Sequence, residues 1–372
     1  MTHNQFIVAI NELGQSIWYD NLSLDVLQSG ELKELLDLGV SGLTSNPTIF
    51  KKAIADSSHY DQKIQQLVTS GLSSAEEICE SLMIDDVGAA ADLLQDTFER
   101  THGADGYASI EVSPALAHDT AGTVAAAEKL WKALNRPNVM IKIPATAEGI
   151  PAIEQVLAQG INVNITLIFS TAVYAQVVDA YLNALAKLGD VARQKKLASV
   201  ASFFVSRVDA IVEKSLEEKG LLSDDRSAAV IGKVGIANSK LAYEHFEEVF
   251  RGERFKKYQE LGVPVQRPLW ASTGTKNPAF SALLYVEALA GKDTVNTLPP
   301  ATLNALLEDA TILPKLHENL AGAKQTLKVV SELGLNLDEL LTILQKDGVS
   351  SFAKSYDELL EAVAKKKEAL SS

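Results

Sequence analysis

The stretch NVMIKIPATAEG (residues 138–149) carries a lysine, Lys142, in the middle of an apolar run. A segment this rich in β-branched residues reads as a buried strand, and lysine is almost never fully buried unpaired. Two ordinary readings exist: Lys142 ends its strand and snorkels to solvent, or it pairs with a carboxylate. Other apolar segments end in the same way. SIWYD closes on Asp20, GVSGLTS runs into Asn46, YASIEV carries Glu111 near its end, and PLWAS closes on Ser272. INVNITLI sets Asn162, Asn164 and Thr166 opposite Ile161, Val163, Ile165 and Leu167, a pattern that fits a polar ligand and a tight internal network equally. Taken together, Asp20, Asn46, Glu111, Lys142, Asn164, Thr166 and Ser272 form a constellation. A lysine in apolar surroundings loses solvation of its charged form, and the neutral amine can attack a carbonyl to form a Schiff base. Protonated, that imine draws electrons and permits carbon–carbon cleavage beside it. Two carboxylates from different strands, Asp20 and Glu111, could divide the proton transfers; Glu111 also fits the plainer role of ion-pair partner to Lys142. The amides of Asn46 and Asn164 suit substrate hydroxyls. The set supports a Schiff-base enzyme acting on a polyol-like carbonyl compound.

Such residues need strands whose ends converge. Eight segments read as strands: 16–20, 39–45, 107–112, 139–144, 161–168, 199–205, 268–272 and 293–299. Between most of them lie segments with helical spacing, as from Val173 through Val177, Val178 and Tyr181 to Leu185. Strands alternating with helices predict a parallel sheet with helical crossovers, and about eight of them favour a closed (β/α)8 TIM barrel. In such a barrel the aliphatic faces pack outward, and catalytic residues gather where the strands end. Residues 51–106 exceed one crossover and predict additional helices, opened by a capping box of Ser73 with Glu76 or Ser74 with Glu77. The expected organisation is a barrel over 1–310 and a helical C-terminal extension over 311–372. In the extension, NLDELLTILQKDG reads as a helix with Asn336 as N-cap, Glu339 at the capping-box position and Gly348 as its stop. Its stripe of Leu337, Leu340, Leu341 and Leu344 would pack on the barrel. KKK at 365–367 reads as a solvated face near a helix end.

Composition narrows the function classes. The chain has 372 residues, 47% of them hydrophobic, enough for a large core. Its net charge of −14 argues against general affinity for nucleic acid or an anionic membrane. An anionic substrate must therefore be held by a local basic spot. Cys79 is the only cysteine, which rules out an internal disulfide and a site of several thiolates; its apolar helical setting makes it inert core. No signal-peptide layout and no apolar run of membrane-span length are seen. These features predict a soluble, cytoplasmic protein.

At the residues of the constellation the chain resembles the transaldolases. The stretches GLTSNPTIF (42–50) and VMIKIPATAEGIPAIEQV (139–156) carry the resemblance most specifically. SIWYDNLS (16–23), YASIEVSP (107–114), INVNITLIFS (161–170), VASFFVSRVD (200–209) and LWASTGTKNP (269–278) extend it strand by strand. Length and C-terminal helices resemble the long bacterial branch. The resemblance implies that Lys142 is the Schiff-base nucleophile and that Glu111 is a general acid/base working through a water held by Thr166. It implies that Asp20 takes and returns the proton of the C4 hydroxyl, and that Asn46 and Asn164 hold substrate hydroxyls. Ser202 and Phe204 would line the pocket, and Arg207 would grip the phosphate together with Ser272, a task suited to a forked guanidinium. The chain departs from the family pattern at one place. Many transaldolases carry a second phosphate-binding arginine two residues after this serine; here Gly274 stands there, and Lys276 is the nearest cation. The implied reaction moves a dihydroxyacetone unit from sedoheptulose 7-phosphate to glyceraldehyde 3-phosphate, giving erythrose 4-phosphate and fructose 6-phosphate in the pentose phosphate pathway. No cofactor and no metal are expected, because the imine does the polarising.

Three alternatives remain. A metal-dependent aldolase needs converging ligands, whereas His3, His59, His102, His118, His245 and His317 show no paired spacing. A non-catalytic binding protein would be expected to have lost the lysine or the carboxylates. A fructose-6-phosphate aldolase-like lyase releasing dihydroxyacetone to water differs only in how well the enamine is protected.

Overall fold

The computed structural model describes residues 3–55 and 57–370. Eight parallel strands close into one barrel in chain order: β1 Gln15–Tyr19, β2 Gly42–Thr44, β3 Ala108–Glu111, β4 Val139–Pro144, β5 Val163–Ile168, β6 Ser199–Phe204, β7 Arg267–Ala271 and β8 Thr294–Leu298. All eight expected segments are strands, and the fold is a (β/α)8 barrel. Alternation sorts their side chains. Ile17, Leu43, Ile110, Ile141, Val163, Phe203 and Leu298 belong to the apolar layer shared with the helices. Trp18, Met140, Val200, Leu269 and Val295 belong to a second cluster inside the barrel. Gly42 makes room for this interior, since a Cβ there would lie 2.6 Å from the Trp18 indole.

Strict alternation fails in β5. The register with β6 shifts between Ile165 and Ile168, and Leu167 has φ +57°. The extra residue of this bulge takes Leu167 out of the outward row, where the sequence pattern puts it, and packs it with the interior cluster. Ile168 resumes the outer face.

The additional helices over 51–106 are present: Pro47–Ala55, Asp61–Thr69, Ala75–Leu93 and Gln95–Arg100. Of the two capping boxes, Ser74 with Glu77 is the one formed. Beyond the barrel run helices Leu320–Glu332 and Leu337–Leu370. Gly348 does not stop the latter, which runs for 34 residues in all. A Cβ at Gly348 would meet Leu167 Cδ2 at 2.9 Å, so this glycine serves close approach to the β5 bulge. The Asn336 side chain caps the helix, accepting from Glu339 N at 3.4 Å, and Leu341, Leu344, Phe352, Leu359 and Val363 form its buried stripe. The helix is tied to its surroundings. Gln345 Nε2 donates to Ala145 O at 2.8 Å, Thr48 Oγ1 donates to Ser355 Oγ at 2.9 Å, and Lys51 pairs with Glu358 at 2.5 Å. Within KKK, Lys365 is exposed, but Lys366 pairs with Asp61 at 2.7 Å, so part of that face is an anchor. Among the described residues no helix is long and apolar enough to cross a membrane.

Candidate active site

The strand register alone assembles the reactive centre. Glu111 lies beside Lys142 in the β3–β4 pairing, and Lys142 beside Asn164 in the β4–β5 pairing. β4 therefore does not end at its lysine, nor does the side chain snorkel: Lys142 is buried, 5% exposed, inside the barrel. Its Nζ donates to Ser45 O at 3.2 Å and stands 3.6 Å from Glu111 Oε2, an ion pair too long for a good hydrogen bond. Glu111 Oε2 and Thr166 Oγ1 are buried without a hydrogen-bond partner among the described residues. Buried polar atoms are rarely left so, and both fit the expectation of a water between them.

Above this layer a cavity of about 240 Å³ opens at the C-terminal ends of the strands. Asp20, Asn46, Lys142, Thr166, Ser202, Phe204, Arg207, Ser272 and Lys276 all line it. Asp20 Oδ1 accepts from Thr44 Oγ1 at 2.7 Å, and Thr44 is linked in turn to Thr297 at 2.7 Å. Burial raises the Asp20 carboxyl above its ordinary range, against the charge of Lys142, the Thr44 hydrogen bond and the charges of Arg207 and Lys276. Burial likewise raises Glu111, with the Lys142 charge opposing. Arg207 is lowered by burial, with Asp20 opposing, and its guanidinium stacks 5.3 Å from the Phe204 ring. Ser272 has φ +56°, an uncommon conformation for a residue with a Cβ and one that clusters at functional sites; its Oγ lies 3.0 Å from Ser206 Oγ. Asn46 caps the helix Pro47–Ala55, accepting from Ile49 N at 3.1 Å.

Two expected residues stand behind the cavity wall. Glu111 lies under Lys142, as the register requires. Asn164 spends both ends of its amide internally, donating to Ser109 Oγ at 3.1 Å and accepting from Ser202 Oγ at 2.7 Å. It therefore orients Ser202, and the inner face of β5 is a network at Asn164 and a cavity wall at Thr166. Asn162 is a strap at the barrel floor, donating to Pro137 O and Val139 O.

Sequence reasoning missed Thr44, Thr297 and Phe352. The two threonines were legible as inward positions of β2 and β8. Phe352 was not: it arrives from the C-terminal helix, with Lys142 Nζ 5.8 Å from its ring centroid. Cys79 is buried, its thiol pushed up to about 12 by burial first. His118 lies at the surface, 3.0 Å from Glu148, while Asp119 caps the helix Thr120–Leu134. Among the described residues no three His, Cys, Asp or Glu side chains converge as a metal site.

The arrangement brings an amine, a carboxyl and a guanidinium to one cavity at the mouth of a barrel, with a second carboxyl behind the amine. The family model described as transaldolase/fructose-6-phosphate aldolase matches residues 17–363. A protein named transaldolase from Saccharopolyspora erythraea is 46% identical, with 98% of each chain covered. Another from Mycolicibacterium smegmatis is 44% identical over 97% of each chain, and a transaldolase 2 from Nostoc sp. is 40% identical over 98% of each.

Proposed function

We propose that this chain, which belongs to the transaldolase/fructose-6-phosphate aldolase family, is a transaldolase that works through a Schiff base on Lys142. It is an enzyme of the transferase class, and sugar phosphates are its substrates. The observation that carries the mechanism is the buried amine of Lys142, held by Ser45 O and Glu111 at the floor of the cavity that Asp20 and Arg207 also face.

The donor is sedoheptulose 7-phosphate. The amine of Lys142, once it has passed a proton to Glu111, adds to the C2 carbonyl, and the carbinolamine loses water to form the imine. Glu111, acting through a water at Thr166 Oγ1, supplies and removes the protons of these steps. Asp20 takes the proton of the C4 hydroxyl as the C3–C4 bond breaks, and erythrose 4-phosphate leaves. The bond's electron pair passes into the protonated imine, giving an enamine. That enamine attacks the aldehyde of glyceraldehyde 3-phosphate, Asp20 returns its proton to the new hydroxyl, and hydrolysis releases fructose 6-phosphate and the free lysine. Asp20 suits this exchange because burial holds its proton affinity up while three cations hold it down. Arg207 and Ser272 would take the phosphate, with Lys276 as a point charge where Gly274 offers no side chain. Asn46 and Ser202 would hold substrate hydroxyls, Asn164 acting through Ser202, and Phe204 supports Arg207. We take residues 1–310 as the catalytic barrel and 311–372 as its extension.

The test uses enzyme, EDTA and fructose 6-phosphate without acceptor, reduced by borohydride and read by peptide mass. A three-carbon adduct confined to the peptide containing Lys142 is expected. Folded enzyme that binds the sugar phosphate and gives no adduct overturns the mechanism.

A further inference from the structure

The three groups assigned above to the phosphate, Arg207, Ser272 and Lys276, all depend on one helix, Ser206–Glu218. Arg207 belongs to its first turn. Ser206 holds Ser272: its N donates to Ser272 O at 3.1 Å, and its Oγ lies 3.0 Å from Ser272 Oγ. Lys276 is reached farther along the helix. Glu213 Oε2 accepts from Asn277 Nδ2 at 3.1 Å, and Asn277 directly follows Lys276.

That hydrogen bond crosses a gap. The loop after β7 is fixed where it starts. Thr273 is buried and donates to Asn296 Oδ1 at 2.9 Å, and Gly274 rests on Pro299, where a Cβ would come within 3.2 Å of Cγ. Beyond Gly274 the support changes. Lys276 lines the catalytic cavity on one side and a second cavity, of about 440 Å³, on the other, so open space adjoins it on both. Asn277 turns the chain there, its Oδ1 accepting from Ala279 N at 3.0 Å, while its Nδ2 carries the bond to the helix. Glu213 and Glu217 both line the second cavity, and their carboxylates would draw a loosened ammonium away from the catalytic side. Lysine is a point charge on a flexible stem, so the place of its backbone decides which cavity it serves.

We propose that Glu213 and Asn277 are positioning residues for phosphate recognition: their hydrogen bond holds Lys276 toward the catalytic cavity, where Gly274 offers no side chain. Neither residue lines that cavity, so both act through Lys276. The inference rests on the reading of Lys276 as a phosphate contact.

Steady-state transfer from fructose 6-phosphate to erythrose 4-phosphate tests this, with Tm confirming that each variant folds. Lys276→Met should raise KM for fructose 6-phosphate about tenfold and Glu213→Ala about fivefold, with kcat within about twofold, because lost ground-state binding moves KM alone. For unphosphorylated fructose, kcat/KM should be the same in both variants as in the wild type. Placed in the Lys276→Met background, Glu213→Ala should add less than about twofold, since its effect runs through the lysine. Asn277→Asp keeps the turn and loses the donor, and should match Glu213→Ala. Adding Glu213→Gln to it reverses donor and acceptor and should return KM to within about twofold of wild type. Wild-type KM in Lys276→Met would overturn both the proposal and the reading beneath it. With KM raised in Lys276→Met, three results would each overturn the proposal and leave that reading standing: wild-type KM in Glu213→Ala, an undiminished effect of Glu213→Ala in the Lys276→Met background, or no recovery in the reversed pair.

Discussion

Among the described residues lining the catalytic cavity, Phe352 is the one supplied by the C-terminal helix, and replacing it with alanine isolates what that helix does there. The ring is 6% exposed and lies 5.8 Å from Lys142 Nζ. Truncating a buried phenylalanine costs about 3–5 kcal/mol. One side of this ring borders the 240 Å³ cavity, not packed core, so the low end, about 3 kcal/mol, applies, and a domain stable by roughly 5–15 kcal/mol remains folded. The kinetic effect is larger in consequence. With the ring gone, water reaches the enamine that waits for its acceptor, protonates it, and dihydroxyacetone is released. We expect the ratio of release to transfer to rise about tenfold, equivalent to ~1.4 kcal/mol of lost barrier. The assay follows dihydroxyacetone from fructose 6-phosphate alone, and glyceraldehyde 3-phosphate when erythrose 4-phosphate is added. Phe352→Leu separates the causes, since it keeps an apolar cover and removes the π-face, whose attraction for a lysine is worth about 0.5–2 kcal/mol. It should keep the wild-type ratio. A folded Phe352→Ala enzyme with the wild-type ratio would refute the water barrier, and a leucine variant matching alanine would assign the effect to the ring's charge attraction instead.

Three further substitutions probe other parts of the site and its scaffold. Arg207→Ala should raise KM for fructose 6-phosphate about 10–100-fold, as loss of one charge-assisted contact of ~1.5–3 kcal/mol requires, with kcat less affected; an equal rise for unphosphorylated fructose would remove Arg207 from the phosphate site. Asp20→Asn should lower transfer at least ~100-fold and raise Tm at pH 8. The folded Asp20 binds its proton more tightly than the unfolded chain does, so wild-type stability falls as pH rises from the ordinary carboxylate value of ~4 through the raised one. The gain in Tm should fade toward pH 4, and an offset independent of pH would contradict the assignment. Gly42→Ala drives a Cβ to 2.6 Å from an indole whose Nε1 is fixed to Asp105 at 2.7 Å. The cost should be about 1–3 kcal/mol in urea unfolding, and an unchanged midpoint would mean that Trp18 yields.

The barrel was legible because each strand is a short apolar run with its own polar end, and a closed parallel sheet leaves such runs one register. Lys142 next to Glu111 follows from that register. What escaped has physical causes. Leu167 departs from its row because a bulge is a backbone event with no composition of its own. Gly348 reads as a helix stop by propensity, yet tertiary contact with Leu167 overrides the stop and uses the missing side chain. Asn164 fits a ligand role and a network role equally in the sequence, because an inward amide suits both; the structure shows that Ser109 and Ser202 already satisfy it. Phe352 lies more than two hundred residues from Lys142, and nothing in a leucine-rich stripe says which of its members overhangs the mouth.

The catalytic mouth buries charges without pairing them closely, and that deficit predicts its response to ligands. Lys142 gives its hydrogen bond to a carbonyl, with Glu111 at 3.6 Å. Asp20 accepts from a threonine hydroxyl, and among the described residues neither Asp20 nor Arg207 forms an ion pair. A site shaped for stability alone would close these gaps, since unpaired buried charge is costly. Here the open valences face one cavity, so an anion that completes Arg207 should stabilise the whole fold. Inorganic phosphate at about a hundred times its dissociation constant should add about 2.7 kcal/mol and raise Tm accordingly. In Arg207→Ala the same phosphate should move Tm little. A shift as large as that of the wild type would mean that the anion binds elsewhere, and the open valence at Arg207 would then be filled by something other than phosphate.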